Sequence, residues 1–296
     1  MGLTEAEWDS WRKHTAAVAA DYGLWVGLCN GYGEPVMDLP LTAFNMTEAH
    51  LDPGNVEATV PTAGNTVPVH MASDLLIADN LGVQTEDTAL VPNTNDAWTI
   101  GIETATGERY GFPLQVPLAS VDHAGPYSIE LKGTGLAGTL EWWPCPSVTA
   151  TWGDVPYSEW VEDAAGPYEK PRELAPVQMA TVAWGHSDKG PAVTVIRNII
   201  QDSLDAVNAA HGWSDRPHMV VEYSNVEDTS PEVIIQREDR YVWDTIADPA
   251  RLTGTSITAR LWWPGDEPIL VRRGEVTELT SFPFALGVVE VKQLGG

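Results

Sequence analysis

Proline and glycine interrupt this chain so often that long regular elements have little room: 22 prolines and 26 glycines fall among 296 residues. Each proline removes a backbone donor, and each glycine weakens the interior of a helix or strand. Such a chain favours short strands joined by turns. The expected fold class is mainly β with inserted helices (α+β). The length allows two domains with separate cores, or one large β-rich domain.

Two segments escape the punctuation and read as helices. Thr4 followed by Glu7 is a capping box, and Trp8, Trp11, Thr15, Val18 and Tyr22 recur at helical spacing before Gly23. This predicts a helix over 4–21 whose aromatic stripe, Trp8 and Trp11 above all, suits docking against another element or subunit. The second helix starts near Pro191, runs Val193, Ile196, Ile200, Leu204 and Val207 along one face, and stops at Gly212.

Between the helices the period is that of strands. Leu24–Cys29 reads as a buried strand, Asn30-Gly31-Tyr32-Gly33 as a tight turn, and Pro35–Leu39 as the return, with Leu41 to Asn45 continuing the sheet. Pro53-Gly54-Asn55 predicts a turn into the alternating strand Val56–Pro61. Met71, Leu75 and Leu76 suggest one or two helical turns. Trp98–Glu103 and Arg109–Leu114, joined through Thr106-Gly107, form the clearest hairpin, and Tyr127–Gly133 is a further strand. Gly133 to Thr139 reads as a flexible connection into Leu140–Pro144. After the long helix, strands are expected at Met219–Tyr223, Glu232–Gln236, Ser256–Trp263 and Ile269–Arg273, with a short helix at Tyr241–Ile246 and a turn at Pro264-Gly265-Asp266. Residues 144–185 carry six prolines and three tryptophans and read as a long ordered connection containing a domain boundary. The expected organisation is an N-terminal helix (1–22), a first β-barrel domain (23–143), the Pro/Trp-rich connection (144–185) and a second α+β domain (186–296).

Charge narrows the function classes. Acidic residues outnumber basic ones 42 to 16, a formal net charge of −26. So acidic a chain repels phosphate backbones, and no sequence-specific nucleic-acid binding is expected. The charge suits solubility before assembly, or the wall of a conduit that DNA must not stick to. Cys29 and Cys145 match no metal knuckle and no redox pair, so free thiols are expected. The acidic start lacks the pattern of a signal peptide, Ala6 breaks the myristoylation pattern, and no apolar run is long enough to span a bilayer.

The sequence offers no nucleophile elbow, zinc-binding His-Glu-x-x-His pair or phosphate loop, and the seven histidines (14, 50, 70, 123, 186, 211 and 218) are scattered. His211 and His218 flank a Gly-Trp turn, which suits capping or surface histidines better than metal ligands. Acidic neighbours such as Glu159 with Glu162-Asp163, or Glu238-Asp239, keep a cell-wall glycan hydrolase in view, since glycosidases need two facing carboxyls. Solvated surface charge explains such pairs more simply. No catalytic residue, cofactor or metal ligand is predicted. The 13 tryptophans are the unusual feature, with Trp-Trp-Pro occurring twice, at Trp142-Trp143-Pro144 and Trp262-Trp263-Pro264. Indole faces can stack on sugars, so Trp142, Trp143, Trp262 and Trp263 are candidate glycan contacts. The alternative is that they supply rigid area to strand ends and subunit interfaces.

The order of these motifs resembles the minor tail proteins of long-tailed phages of actinobacteria, in particular their baseplate-hub-like (tail-tip) members. Leu24–Leu39 with Asn45–Pro61 looks like the start of the hub's first barrel, and the 98–103/109–114 hairpin like that barrel's central pair. Tyr127–Leu140, with Leu131-Lys132-Gly133-Thr134-Gly135-Leu136, is similar to the junction where such hubs leave that barrel. The 190–211 helix, Arg237–Ile246 and Leu261-Trp262-Trp263-Pro264-Gly265-Asp266 resemble the hub's later helical region and its run into Pro-Gly-Asp. The resemblance implies tandem β-barrels and a non-enzymatic virion protein at the tail tip, made in the host cytoplasm. It also implies a homo-oligomeric ring, commonly a trimer. Its neighbours would be the distal tail protein, the tape measure and other minor tail proteins, with host cell-wall glycan as a further contact and genome ejection as the outcome.

Overall fold

The computed structural model describes residues 2–61, 71–78, 83–84, 90–91, 97–122, 125–146, 156–178, 187–274 and 276–294. Helix α1 (Glu5–Tyr22) forms where its caps predict: the Glu7 N–H donates to Thr4 Oγ1, and the Thr4 N–H donates back to the Glu7 carboxylate at 2.8 Å. Those hydrogen bonds from Thr4 hold the Glu7 carboxyl below its ordinary pKa. Gly23, at φ +90°, ends the helix. Trp8 and Thr15 of the predicted stripe are buried, but Tyr22 is 82% exposed. Ala19 takes the buried place one turn earlier, so the stripe ends before the helix does.

Seven strands then build one antiparallel sheet. They are β1 (Leu24–Asn30), β2 (Pro35–Asp38), β3 (Ala43–Ala49), β4 (Asp52–Pro61), β7 (Trp98–Thr104), β8 (Arg109–Asp122) and β9 (Gly125–Thr134). Between β4 and β7 lie α2 (Met71–Ser73), which runs into a π-helical turn at Asp74–Ala78, and the short ladder β5 (Val83–Gln84) with β6 (Leu90–Val91). The sheet order is β2-β1-β7-β8-β9-β4-β3. Laid flat, seven strands would set the two end strands roughly 29 Å apart. Yet β2 ends at Asp38 and β3 begins at Ala43, a stretch that can reach at most roughly 18 Å. The sheet therefore curls, and Val26, Leu28, Val56, Val60, Ile100, Ile102, Ile129 and Leu131 fill its concave side. Among the described residues no strand pair joins β2 to β3, so the curl is not a closed barrel.

Two local expectations need correcting. Pro53-Gly54-Asn55 is not the turn; the chain reverses at His50-Leu51, with Leu51 at φ +52°. Between the pairs Thr47↔Asn55 and Ala49↔Asp52, two residues of β4, Pro53 and Gly54, face one residue of β3. Such a bulge accommodates a proline, which has no N–H for the ladder, and Gly54 at φ +72° supplies the needed backbone. The supposed flexible connection after Gly133 is also ordered: Leu136–Glu141 form a 3-10 helix that buries Leu136, Ala137 and Leu140.

Within the Pro-rich segment 144–185 the chain forms β10 (Pro144–Cys145) and a ribbon of β11 (Pro156–Asp163) with β12 (Gly166–Gln178). Trp152 and Trp184 lie outside the described residues. The remainder comprises β13 (Ser187–Pro191), α3 (Ala192–His211), β14 (Met219–Val221), β15 (Glu232–Gln236), β16 (Arg240–Tyr241) and α4 (Val242–Thr253). It ends with β17 (Thr255–Trp262), β18 (Ile269–Arg273), β19 (Val276–Thr280) and β20 (Leu286–Gln293). The C-terminal strand β20 is central, parallel to β14 and antiparallel to β17. The remaining strands pair two by two, β13 with β15, β18 with β19 and β10 with β16, so the tandem-barrel expectation is not met by a second barrel among the described residues. Helix α3 buries the whole predicted face against β14, β20 and α4. Helix α4 outruns the expected Tyr241–Ile246: it continues through Pro249 to Gly254 because Val242, Ile246 and Ala250 extend one buried stripe.

The start of α3 has a cap that its neighbouring residues do not provide. Pro191 offers no side-chain acceptor, and the free N–H groups of Val193 and Thr194 donate instead to Ser230 Oγ at 3.0 Å and Asp228 Oδ2 at 2.7 Å. Partial burial raises the Asp228 pKa, but hydrogen bonds from Thr194 and Ser230 outweigh it and leave the carboxyl below its ordinary value.

Candidate interface: a tryptophan junction and an open aromatic pocket

Strand β1 is buried on both faces. Val26 and Leu28 enter the curl, while Trp25 and Cys29 point outward beneath α1. The indole of Trp25 fits because Gly27 and Gly101, a cross-strand pair, carry no side chain. A methyl at Gly101 would lie 3.2 Å from Trp25 Cζ3 and 2.7 Å from Cys29 Sγ. Onto that indole pack Trp11 and Trp263, at centroid distances of 6.4 and 5.8 Å, and Trp8 meets Trp263 at 5.7 Å. Helix α1, strand β1 and the turn after β17 thus share one aromatic cluster.

A charged cluster sits against it. Arg109 is buried, its guanidinium 4.1 Å above the Trp263 ring, and it donates to Glu103 at 3.1 Å and Asp266 at 2.6 Å. Glu103 also accepts from Thr15 of α1 at 2.8 Å, and Asp266 accepts from the Trp263 N–H at 2.8 Å. Trp263 Nε1 donates to the Gly33 carbonyl at 2.9 Å. Three of these contacts, Arg109 to Asp266, Arg109 over Trp263 and Trp263 to Gly33, join the first half of the chain to the last third. Sequence reasoning named Trp8, Trp11 and Trp263 but missed Arg109, Glu103 and Asp266. Register holds the missing signal, because Glu103 and Arg109 stand opposite each other on β7 and β8.

The tryptophans singled out from sequence therefore divide. Trp262 and Trp263 are fully buried, Trp262 edge-on to Phe282, and neither shows a face to a soluble glycan. Trp8 is buried as well, and Trp11 is partly covered. Trp143 packs against the core around α3, whereas Trp142 is 58% exposed.

Trp142 stands at the rim of a largely apolar cavity of about 440 Å³. A chain of rings lines another side: Tyr32 stacks on His218 at 4.5 Å, Trp213 meets His218 edge-on at 4.9 Å, and His211 stacks on Trp213. Burial, then the nearby Arg216 charge, lowers the His218 pKa and favours the neutral imidazole at neutral pH. Arg216 lies 3.8 Å over Tyr32 and donates to Glu34 at 2.8 Å. So His211 and His218 join a stack of rings, and no group of three or more His, Cys, Asp or Glu able to hold a metal occurs among the described residues.

The acidic pairs take ordinary places where they are described: Glu238 pairs with Arg240 at 2.9 Å, and Glu162 is exposed. The side chains of Glu159, Trp160 and Asp163 lie outside the described residues, as do His70, His123 and His186. Both cysteines are free and buried. Burial pushes the Cys29 thiol up to about 12 and raises that of Cys145, so neither supplies a ready thiolate.

No protein-family model matches the sequence, and no curated protein matches it. Two solved structures show distant likeness. The prophage MuSo2 43 kDa tail protein from Shewanella oneidensis aligns with 90% of this chain and 55% of its own, at 13% identity and a TM-score of 0.37. The tail protein from Neisseria meningitidis MC58 aligns with 90% of this chain and 50% of its own, at 14% identity and a TM-score of 0.36. The chain spans about half the length of both, and likeness at this level assigns it neither family nor function.

Proposed function

We propose that this chain is a structural subunit of a phage tail tip, a hub-like protein that works by assembling and not by catalysis. The observation that carries the assembly reading is the β11–β12 ribbon. Among the described residues these strands pair with each other and with no third strand, and Val161 on the ribbon is more than half exposed. A lone two-stranded ribbon is marginally stable in water and gains stability from a neighbour. The open edges β2 and β3 of the curled sheet offer backbone donors and acceptors of the same kind.

In this reading the ribbon seats on a sister copy and closes a ring, commonly a trimer, in which the one curled sheet of each copy contributes to the wall of a tube. The distal tail protein, the tape measure and other minor tail proteins would bind its faces. The ring would close the tube, take part in host attachment and open for genome ejection, while the acidic surface repels passing DNA. What supports the phage setting is the motif order of the sequence; what supports assembly is the ribbon.

Native mass spectrometry of the whole chain, and of a variant whose residues 156–178 are replaced by a short Gly-Ser linker, tests the proposal. A defined oligomer that falls to monomer in the variant is the expected result. A wild-type chain that stays monomeric as its concentration is raised, or an oligomer indifferent to the deletion, would overturn it.

A further inference from the structure

One wall of the cavity of about 440 Å³ is a contact between two rings far apart in the chain: Tyr32, in the turn between β1 and β2, and His218, just before β14. The rings are parallel within 7°, and His218 also makes a hydrogen bond to the backbone of Gly31 in the same turn. From behind, the His218 carbonyl accepts from the Gly287 N–H at 2.9 Å, which ties this residue to the start of β20. His218 is thus fixed to the core, and the stack is where the turn meets it.

The surroundings suit a neutral imidazole. Besides His218, only Tyr32 and His211 among the described lining residues can ionise, and none of those residues is a carboxylate. His211, at the end of α3, stacks on Trp213 at 4.5 Å. On its own segment His218 meets the like charge of Arg216, while the exposed Asp215 lines the neighbouring cavity beside Phe282. Glu34, which follows the turn, has both oxygens taken, by Arg216 and by the Asn30 amide, each at 2.8 Å. The Tyr32 face attracts cations, but Arg216 already lies 3.8 Å over it. A proton on His218 would therefore set two cations beside one ring and one satisfied carboxylate. Burial first, and then Arg216, hold the His218 pKa below its ordinary 6.5 and outweigh the Gly31 hydrogen bond. The contribution of the neutral stack is complete above that value and is lost as pH falls towards the lower folded pKa. We propose that His218 is an acid-operated latch: when it takes a proton in mildly acidic solution, its stack on Tyr32 parts and the cavity opens along the β1–β2 turn.

NMR of the histidine and tyrosine rings in the whole chain tests the proposal, with the two signals assigned by His218→Phe and Tyr32→Phe. At pH 7.5 the His218 and Tyr32 signals are expected at positions displaced by their neighbouring rings. Between pH 7.5 and pH 5 both displacements should be lost together, as His218 takes its proton. His218→Phe keeps a ring against Tyr32 but cannot be protonated, so there the Tyr32 signal should hold its displaced position at pH 5. His211→Gln should leave the transition unchanged. Should His218→Phe fail to fold, His218→Gln, equally unable to take the proton, must give a Tyr32 signal independent of pH. Four results would each overturn the latch: a His218 that titrates with its displacement intact, one that stays neutral down to pH 5, a Tyr32 transition that survives in the His218 variants, or one that vanishes in His211→Gln. None of these readings involves residues 156–178, so failure of the latch leaves the assembly proposal standing.

Discussion

Arg109 lies 4.1 Å above the indole of Trp263 while donating to Asp266, three residues further along the same turn. One buried guanidinium is thereby held by a π face and two carboxylates drawn from both halves of the chain. Replacing it with leucine would leave Glu103 and Asp266 facing each other without their shared cation. A loss of about 3–5 kcal/mol is expected on breaking such a buried pair. Urea denaturation should show a lower midpoint in Arg109→Leu. Lysine at this position restores the charge without the planar fork and should recover only part of the loss.

Gly27 and Gly101 leave room for the Trp25 indole, and alanine at either removes it. A methyl at Gly27 would overlap Trp25 Cζ2 and also lie 2.9 Å from the Met37 carbonyl. Each substitution should lower stability by about 1–3 kcal/mol through overpacking. Pairing Gly101→Ala with Trp25→Phe should be less harmful than the sum of the single changes, a coupling that a double-mutant cycle measures.

Asp228 makes stability depend on pH. Its carboxyl titrates below the ordinary value of 3.8 when folded, so its contribution is complete above that value and is lost as pH falls through the lower folded pKa. Asp228→Asn should flatten this acid limb of a thermal-melting profile while keeping an acceptor for the helix start, whereas Asp228→Ala, which removes the cap, should cost about 1 kcal/mol at neutral pH.

The thiols should be silent until the chain unfolds. With Cys29 raised to about 12 and Cys145 also raised, Ellman's reagent at pH 8 should find neither in the native protein and both in urea. Rapid reaction of either native thiol would contradict the burial described.

The two Trp-Trp-Pro motifs should respond in opposite ways. Trp142→Ala removes an exposed ring and should leave the melting temperature near that of wild type. Trp262→Ala empties a fully buried site beside Phe282 and should cost about 3–5 kcal/mol.

Those motifs also mark how far sequence reading reaches. The caps of α1, the buried face of α3 and the Thr106-Gly107 hairpin follow from signals a few residues apart, and all three are present. Pro53-Gly54 carries the same letters as a turn yet forms a bulge, because its partner is a strand whose register lies outside the local sequence. Likewise Trp142-Trp143 and Trp262-Trp263 are identical pairs with different exposure, set by what packs on them.

The amino-acid order determined the mainly β character, the two long helices and their ends, since capping, periodicity and turn chemistry act over one or two turns of chain. Tertiary structure alone decided that the sheet curls, that Ser230 and Asp228 cap a helix they do not adjoin, and that Arg109 meets Trp263 and Asp266. Those contacts join residues dozens to more than a hundred positions apart. Their free energy depends on distance in space and exclusion of water, neither of which is written in the spacing of letters.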